Sequence, residues 1–285
     1  MTLLAAAGIK YPARLQRAEL LAAKYPFSTE ILKFYLQIAT FQRQFYEGLP
    51  KAWGKRPIVP ASGLLRSELN IPVLFPAFGQ FLSLIESTAP GPLAGQARML
   101  KSQGESTWRT RLEEFWRSDL QENDTGNGPT VDRQIDPLRE FLSRAFLQPY
   151  AEFIAGAMLP PVTPMTVCRC PRCNSLPLVG VLRPEGDGGK RFLQCSLCSQ
   201  EWEFLRILCA KCGETREEQL PVSTAEQFPH IRVEACETCK HYLRTIDLTK
   251  DGNAVPIVDD LAVIPLSLWA DQHGYQRIQS NLLGS

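Results

Sequence analysis

Residues Cys170 to Cys212 read CPRCNSLPLVGVLRPEGDGGKRFLQCSLCSQEWEFLRILCAKC, and CETC follows at Cys236 to Cys239. The stretch holds four C-x-x-C pairs: Cys170/Cys173, Cys195/Cys198, Cys209/Cys212 and Cys236/Cys239. A short turn lets both thiols of a pair aim at one point, so each pair is half of a tetrahedral site and two pairs complete it. Four thiolates in a tetrahedron suit zinc or a single iron. Between Cys173 and Cys195 lie 21 residues, and between Cys212 and Cys236 lie 23, about one β-hairpin each and slightly longer than common zinc-ribbon spacing. One such pair is weak evidence. Four within 70 residues, in two repeats of similar length, predict two metal ions per chain. The expected partition is sequential, each set closing around one hairpin: Cys170, Cys173, Cys195, Cys198, then Cys209, Cys212, Cys236, Cys239. A cross-braced arrangement would instead join the first pair to the third. Cys168, the ninth cysteine, is expected to be a non-ligand thiol, because as a ligand it would compete with Cys170 two positions away. Disulfide pairing would need an oxidising compartment.

The rest of the chain points to no such compartment. Met1 to Ile9 is briefly apolar but lacks a basic start and is too short for a signal peptide. No run approaches the roughly 20 apolar residues of a membrane helix. The expected location is the cytoplasm, where thiols stay reduced. The 285 residues leave room for two domains and a sizeable core, and 44% hydrophobic residues is ordinary for a globular protein. A net charge of +1 steers the chain neither to nucleic acid nor to membrane.

Upstream of the cysteines the periodicity is helical. Ile31, Phe34, Tyr35, Ile38, Phe41 and Phe45 recur at three, four and seven, with Ser28 or Thr29 as a cap and Gly48, Leu49 and Pro50 as a stop. An earlier helix is expected over Pro12 to Lys24, and residues 49–65 read as a loop. Phe78, Phe81, Leu82 and Ile85 mark a helix from about Pro76, interrupted from Thr88 to Gly95. Another helix carries Trp108, Leu112, Phe115 and Trp116. After the polar loop Gln121 to Thr130, a last helix over Asp132 to Met158 presents Ile135, Leu138, Leu142, Phe146 and Tyr150 on one face, with Pro137 and Pro149 able to bend or divide it. These stripes are core rather than cofactor contacts, and no catalytic constellation accompanies them.

Leu159 to Pro164 (LPPVTP) is a stiff boundary, and beyond it the grammar changes to short strands. Leu178 to Arg183 and Arg191 to Gln194 read as a hairpin with its tip at Gly186 to Gly189, which lacks the spacing of a phosphate loop. The residue after each second cysteine often needs positive φ. Asn174 and Gly213 tolerate that, and Ser199 and Lys240 less easily, so the first and third pairs look like the primary knuckles. Trp202 to Leu208 is expected to be a strand shared between the two modules. Tyr242 to Leu248 and Ala254 to Val258 flank a turn at Lys250 to Asn253. A final helix starts near Pro265, or at a cap on Asp259 or Asp260, carries Leu268 and Trp269, and ends at Gly274. The expected architecture is a multidomain α+β chain. An all-α helical domain (1–164) precedes two tandem four-cysteine zinc-ribbon-like modules (165–208 and 209–258), with a C-terminal helix and tail (259–285).

CPRCNSLP at Cys170 to Pro177 and RFLQCSLCSQEWEFLRILCAKC at Arg191 to Cys212 resemble the metal knuckles of the FdhE family, the formate dehydrogenase accessory proteins. The tail DDLAVIPLSLWADQHGYQR, Asp259 to Arg277, is similar to that family's C-terminal helix with its Gly-Tyr-x-Arg ending. Asn174 stands where the family commonly has Gly, and Cys168 is an extra thiol. The resemblance covers about Cys170 to Arg277. It implies a soluble cytoplasmic maturation factor that contacts the catalytic subunit of a molybdenum or tungsten formate dehydrogenase and is not itself an enzyme. It also implies rubredoxin-like centres with iron, where the commonness of structural zinc would favour zinc.

Two other classes compete. A nucleic-acid-binding zinc ribbon is opposed by charge. From Met165 to Thr245 there are 11 Lys/Arg and 10 Asp/Glu. Two four-thiolate sites on a divalent metal, each carrying −2, turn that balance to about −3, which repels phosphate. A local basic face would need Arg169, Arg172, Lys190 and Arg191 to converge. A rubredoxin-like redox protein or enzyme would need a substrate site, and His230, His241 and His273 are scattered. His241 could be a ligand or a donor to one, but reads more simply as a solvated strand residue. His230 and His273 show no partner.

Overall fold

The structure is a computed structural model that describes residues 10–53, 65–67, 69–118, 137–158, 164–186 and 188–284. The Gln121 to Thr130 loop, Ile135, Asp187 at the hairpin tip and all but the last residue of Leu159 to Pro164 lie outside the described residues.

Five helices build the N-terminal part: α1 (Lys10–Lys24), α2 (Thr29–Trp53), α3 (Ile71–Thr88), α4 (Gly91–Ser118) and α5 (Pro137–Ala157). The apolar stripe of α2 meets α3 and α5 through a ring cluster in which Phe41 lies 5.2 Å from Phe81 and Phe45 lies 5.1 Å from Phe146. Phe78 completes it, 4.7 Å from Phe146. Such offset contacts add about 0.5–1.5 kcal/mol per pair to the area buried. α2 runs past the stop expected at Gly48 to Pro50. Pro50 lies in its last turn, where a missing N–H forfeits one bond at a fraying end. α3 begins earlier than Pro76, because Pro72 suits a first turn. α3 is also long and apolar enough to cross a bilayer, but Ile71, Leu74, Phe78, Phe81, Leu82 and Ile85 are buried inside the molecule. α4 starts at Gly91 rather than after Gly95 and kinks at Gly104, whose φ of 78° is the left-handed region.

α5 departs most from the one-faced reading. Every residue from Phe141 to Ala155 is buried, so all sides of the helix are covered. One side meets α2 and α4, and the other meets the cysteine-bearing part of the chain. The polar residues that broke up its pattern have specific partners. Gln42 bonds Gln148 and the Ala145 carbonyl, and Arg144 donates to the carbonyls of Ser280 and Asn281.

The strands are β1 (Pro177–Glu185), β2 (Gly188–Cys195), β3 (Glu201–Glu203), β4 (Val222–Thr224), β5 (Ile231–Ala235), β6 (His241–Asp247) and β7 (Gln276–Arg277). Residues 165–208 and 209–258 supply three strands each to a single sheet in the order β3-β2-β1-β6-β5-β4, with β7 on β6. The joint is the parallel pairing of β1 with β6, Gly180 opposite Thr245. The junction expected at Trp202 to Leu208 is therefore corrected: only Glu201–Glu203 is strand, and it pairs with β2 at the sheet edge.

Ala254 to Val258 is not a strand either. Pro256 opens a helix, α6 (Pro256–Ala262), and α7 (Ile264–Gln272) follows, close to the start expected at Pro265. Pro lacks the ladder donor a strand needs but suits a helix start. α6 packs on β1 and β6 and on α1 and α2, so it wedges the sheet against the helices. Asp259 and Asp260 do not cap the last helix. Both are buried within α6, where Asp259 accepts the N–H of Val255 and so closes that helix's first turn.

Candidate metal centres

The four C-x-x-C turns share one backbone form. The N–H of each first cysteine bonds the carbonyl five residues on, at 2.9 Å in all four: Cys170 to Ser175, Cys195 to Gln200, Cys209 to Glu214, Cys236 to His241. The residue after each second cysteine has positive φ: Asn174 61°, Ser199 53°, Gly213 76°, Lys240 55°. The second and fourth turns are thus knuckles equal to the first and third. They carry the left-handed residue although Ser and Lys pay about 1–2 kcal/mol for it.

The turns meet in two sets. Cys170, Cys173, Cys195 and Cys198 have their sulfurs within 4.8 Å of one another, and so do Cys209, Cys212, Cys236 and Cys239. Sulfur pairs lie 3.6 Å apart for Cys170/Cys198, 3.3 Å for Cys173/Cys195, 3.8 Å for Cys209/Cys239 and 3.7 Å for Cys212/Cys236. A tetrahedron with metal–sulfur bonds of about 2.3 Å has edges of about 3.8 Å, so the sets fit a four-thiolate ion. They are too long for disulfides of about 2.05 Å, and all nine cysteines are free thiols. The grouping is sequential, not cross-braced. Cys168 belongs to neither set. It is half-buried, and its Sγ lies 3.8 Å from the Cys209 carbonyl oxygen.

Within each set the thiols are electrostatically unequal. In the first set burial pushes Cys195 and Cys198 up. Burial also pushes Cys173 up, but hydrogen bonds from the three neighbouring thiols and the charge of Arg66 outweigh it and hold Cys173 well below the ordinary thiol range. In the second set a hydrogen bond from Cys239 holds Cys209 down at about 5. Backbone N–H groups of Leu197 and Cys198 point at the Cys195 sulfur, and that of Lys211 points at the Cys209 sulfur, each 3.4 Å away.

The helical part builds the surroundings of the first set. The N–H of Leu65 bonds the Arg172 carbonyl inside the first knuckle. Arg66 donates to Ser175, whose hydroxyl lies 3.4 Å from the Cys173 sulfur, and Arg172 donates to the Ala155 carbonyl at the end of α5. On the second knuckle Ser199 donates to Glu152 of α5, which also binds Arg14 and Tyr11 of α1. None of these contacts was legible beforehand.

The second set is stapled at the surface. Glu214 joins its two knuckles by accepting from Thr238 and Arg216. Tyr275 donates to Glu237, and the N–H of Gln276 bonds the Lys240 carbonyl, so the Gly-Tyr-x-Arg tail straps the fourth knuckle. His241 is no ligand here. Its Nδ1 lies 2.6 Å from the Cys239 carbonyl oxygen.

His230 corrects an expectation. It is buried and has a partner, with Nε2 2.9 Å from Asp259 Oδ1. Asp251 joins them in a third cluster of ligand type, but the Arg17 guanidinium binds both carboxylates, at 2.7 Å from Asp251 and 2.5 Å from Asp259. It is an ion-pair network that ties α1 to α6. The four cations considered for a nucleic-acid face do not converge on one. Arg172 and Arg191 are buried, Arg191 pairs with Glu234, and Lys190 pairs with Glu203.

Residues 169–206 match the family model described as FdhE, central domain, and residues 207–283 match FdhE, C-terminal domain. Both matches are to FdhE models, and together they span residues 169–283, about two-fifths of the chain. A protein FdhE homolog of Aquifex aeolicus is 36% identical over 116 residues, 40% of this chain and 41% of that one. A Pseudomonas putida homolog is 34% identical over 125 residues, 41% of this chain and 39% of its own length. The chain thus matches about two-fifths of these curated relatives. The FdhE architecture extends further than the sequence likeness. The crystal structure of the FdhE protein from Pseudomonas aeruginosa superposes with a TM-score of 0.71 over 98% of this chain and 96% of that one, at 22% identity. The helical part, outside both family-model matches, shares that fold.

Proposed function

We propose that this protein is a cytoplasmic accessory factor that binds the catalytic subunit of a molybdenum or tungsten formate dehydrogenase and is needed for its maturation, without being an enzyme itself. The matches to the FdhE central and C-terminal domain models support the reading, together with two four-thiolate clusters seated in one sheet against a helical body. The eight cysteines Cys170, Cys173, Cys195, Cys198, Cys209, Cys212, Cys236 and Cys239 hold two metal ions, iron by family resemblance with zinc as the alternative. When bound, the metal supplies folding free energy to ribbons too small to bury a sufficient core of their own. The residues around the clusters then hold a composite face of sheet and helices in shape for a large protein partner.

The test is capture. The tagged full-length chain is expected to retain the formate dehydrogenase catalytic subunit from cells that make it, and deletion of the chain's gene to abolish formate dehydrogenase activity. A Cys170→Ser/Cys173→Ser variant should lose capture. Capture by that variant with undiminished affinity would remove the first cluster from the recognition role. Binding of nucleic acid with steep salt dependence, without capture of the subunit, would replace the reading altogether.

A further inference from the structure

The two clusters are built from the same knuckles but differ in exposure. Cys170 is 1% exposed, and Cys173, Cys195 and Cys198 are 0% exposed. In the second set Cys212 is exposed and Cys239 half-exposed. The cause is position in the fold. The turn at Leu65–Ser67, the end of α5 and the Arg14/Glu152 pair close over the first set. Among the described residues nothing closes over Cys212.

Their charge environments differ in the same sense. A divalent ion on four thiolates carries about −2. Beside the first set stand Arg66 and Arg172, 3% and 5% exposed, with Arg66 reaching Cys173 through the Ser175 hydroxyl. These buried cations offset part of that negative charge in a low dielectric. Around the second set Arg216 and Lys240 are exposed, Lys211, Glu214 and Glu237 are partly buried, and the five are of mixed sign.

We infer a division of labour: the first cluster is a permanent structural site, and the second is an exchange site, where a soluble thiol or chelating ligand gains access past Cys212 and Cys239. The inference rests on the reading that both sets hold metal. Water and competing donors reach Cys212 without any unfolding, whereas the first set is reached only after the helical part lifts away from the knuckles. The second site is therefore where metal enters and leaves the folded protein.

The experiment uses the full-length protein loaded with zinc, its content measured before challenge. Excess EDTA is added, zinc release is followed in time, and freed thiols are trapped with iodoacetamide and mapped by peptide mass spectrometry. Two phases of one equivalent each are expected, the slow one at least about 10-fold slower, given what a closed surrounding shell contributes to metal retention. Early label should fall on Cys209, Cys212, Cys236 and Cys239. A Cys212→Ser variant should lose the fast phase and keep the slow one. Release in a single phase, or early label on Cys170, Cys173, Cys195 or Cys198, would overturn the division of labour. A folded protein that takes up fewer than two equivalents would instead overturn the metal reading itself.

Discussion

Ser199 donates its hydroxyl to Glu152, so the left-handed residue that ends the second knuckle is held by a carboxylate from the centre of the helical part. Glu152 sits 5% exposed and answers Arg14, 2% exposed, with a contact of 2.6 Å. Burial and the neighbouring Glu152 carboxylate raise the Tyr11 phenol beside them well above its ordinary range. The group thus joins the helices to the first metal cluster.

Breaking that pair should be costly. Glu152→Ala leaves Arg14 buried without its carboxylate, for an expected loss of about 3–5 kcal/mol in chemical denaturation. A double variant, Arg14→Met with Glu152→Leu, should lose much less, because no charge is stranded. Equal losses for the two would show that the ion pair is not the cause.

Asp260 lies between Arg244 and Arg277, with Arg244 Nε at 2.7 Å and Arg277 Nη2 at 2.6 Å. Burial pushes its carboxyl up, but the two guanidinium groups outweigh burial and hold it below its ordinary value of 3.8. A folded-state value below the unfolded one stabilises the fold above the unfolded value and loses that contribution as pH falls through the folded one. Burial pushes Arg244 down to about 10 against the pull of Asp260, yet the group stays charged in acid, so the acid-side loss belongs to the carboxylate. Wild-type stability should fall as pH drops below the ordinary carboxylate value of 3.8, and Asp260→Asn should flatten that fall while costing about 3–5 kcal/mol at neutral pH. Denaturation midpoints across pH check both.

Gly180 faces Thr245 where β1 and β6 join the two ribbon halves. A Cβ on Gly180 would overlap the Thr245 hydroxyl. Gly180→Ala should destabilise the protein by about 1–3 kcal/mol. Adding Thr245→Ala removes the colliding atom and should recover part of it. An unchanged melting temperature in the single variant would show that the sheet joint tolerates the side chain.

Cys168 lies beside the Cys209 backbone and outside both sulfur sets. Cys168→Ser should leave metal content at two equivalents per chain, measured by elemental analysis. A fall to one would make Cys168 a ligand.

Much of the site was legible because its geometry is local. Two cysteines separated by two residues share one turn, and one hairpin brings two such turns together, so the sequence predicted the eight thiols and their sequential grouping. The helical stripes of α2 and α3 were equally legible, because a period of three and four records one buried face. α5 was legible as a helix with one apolar face, but not as one covered on every side, because Arg144, Gln148 and Glu152 look like solvent-facing residues until their partners are known.

The burial of one cluster and the openness of the other followed no motif. Four equal C-x-x-C turns cannot say which pair lies under α5, and α1 reaches its partners Glu152 and Asp259 across 138 and 242 residues. Pro256 and the two aspartates after it read as strand end or helix cap because nothing nearby shows that Arg17, Arg244 and Arg277 wait for them. Sequence alone determined which atoms could bind metal, since that depends on spacing within a turn. Tertiary structure decided what each site meets, because burial and charge compensation are set by groups far apart in the chain that only the packed fold brings within a few ångströms.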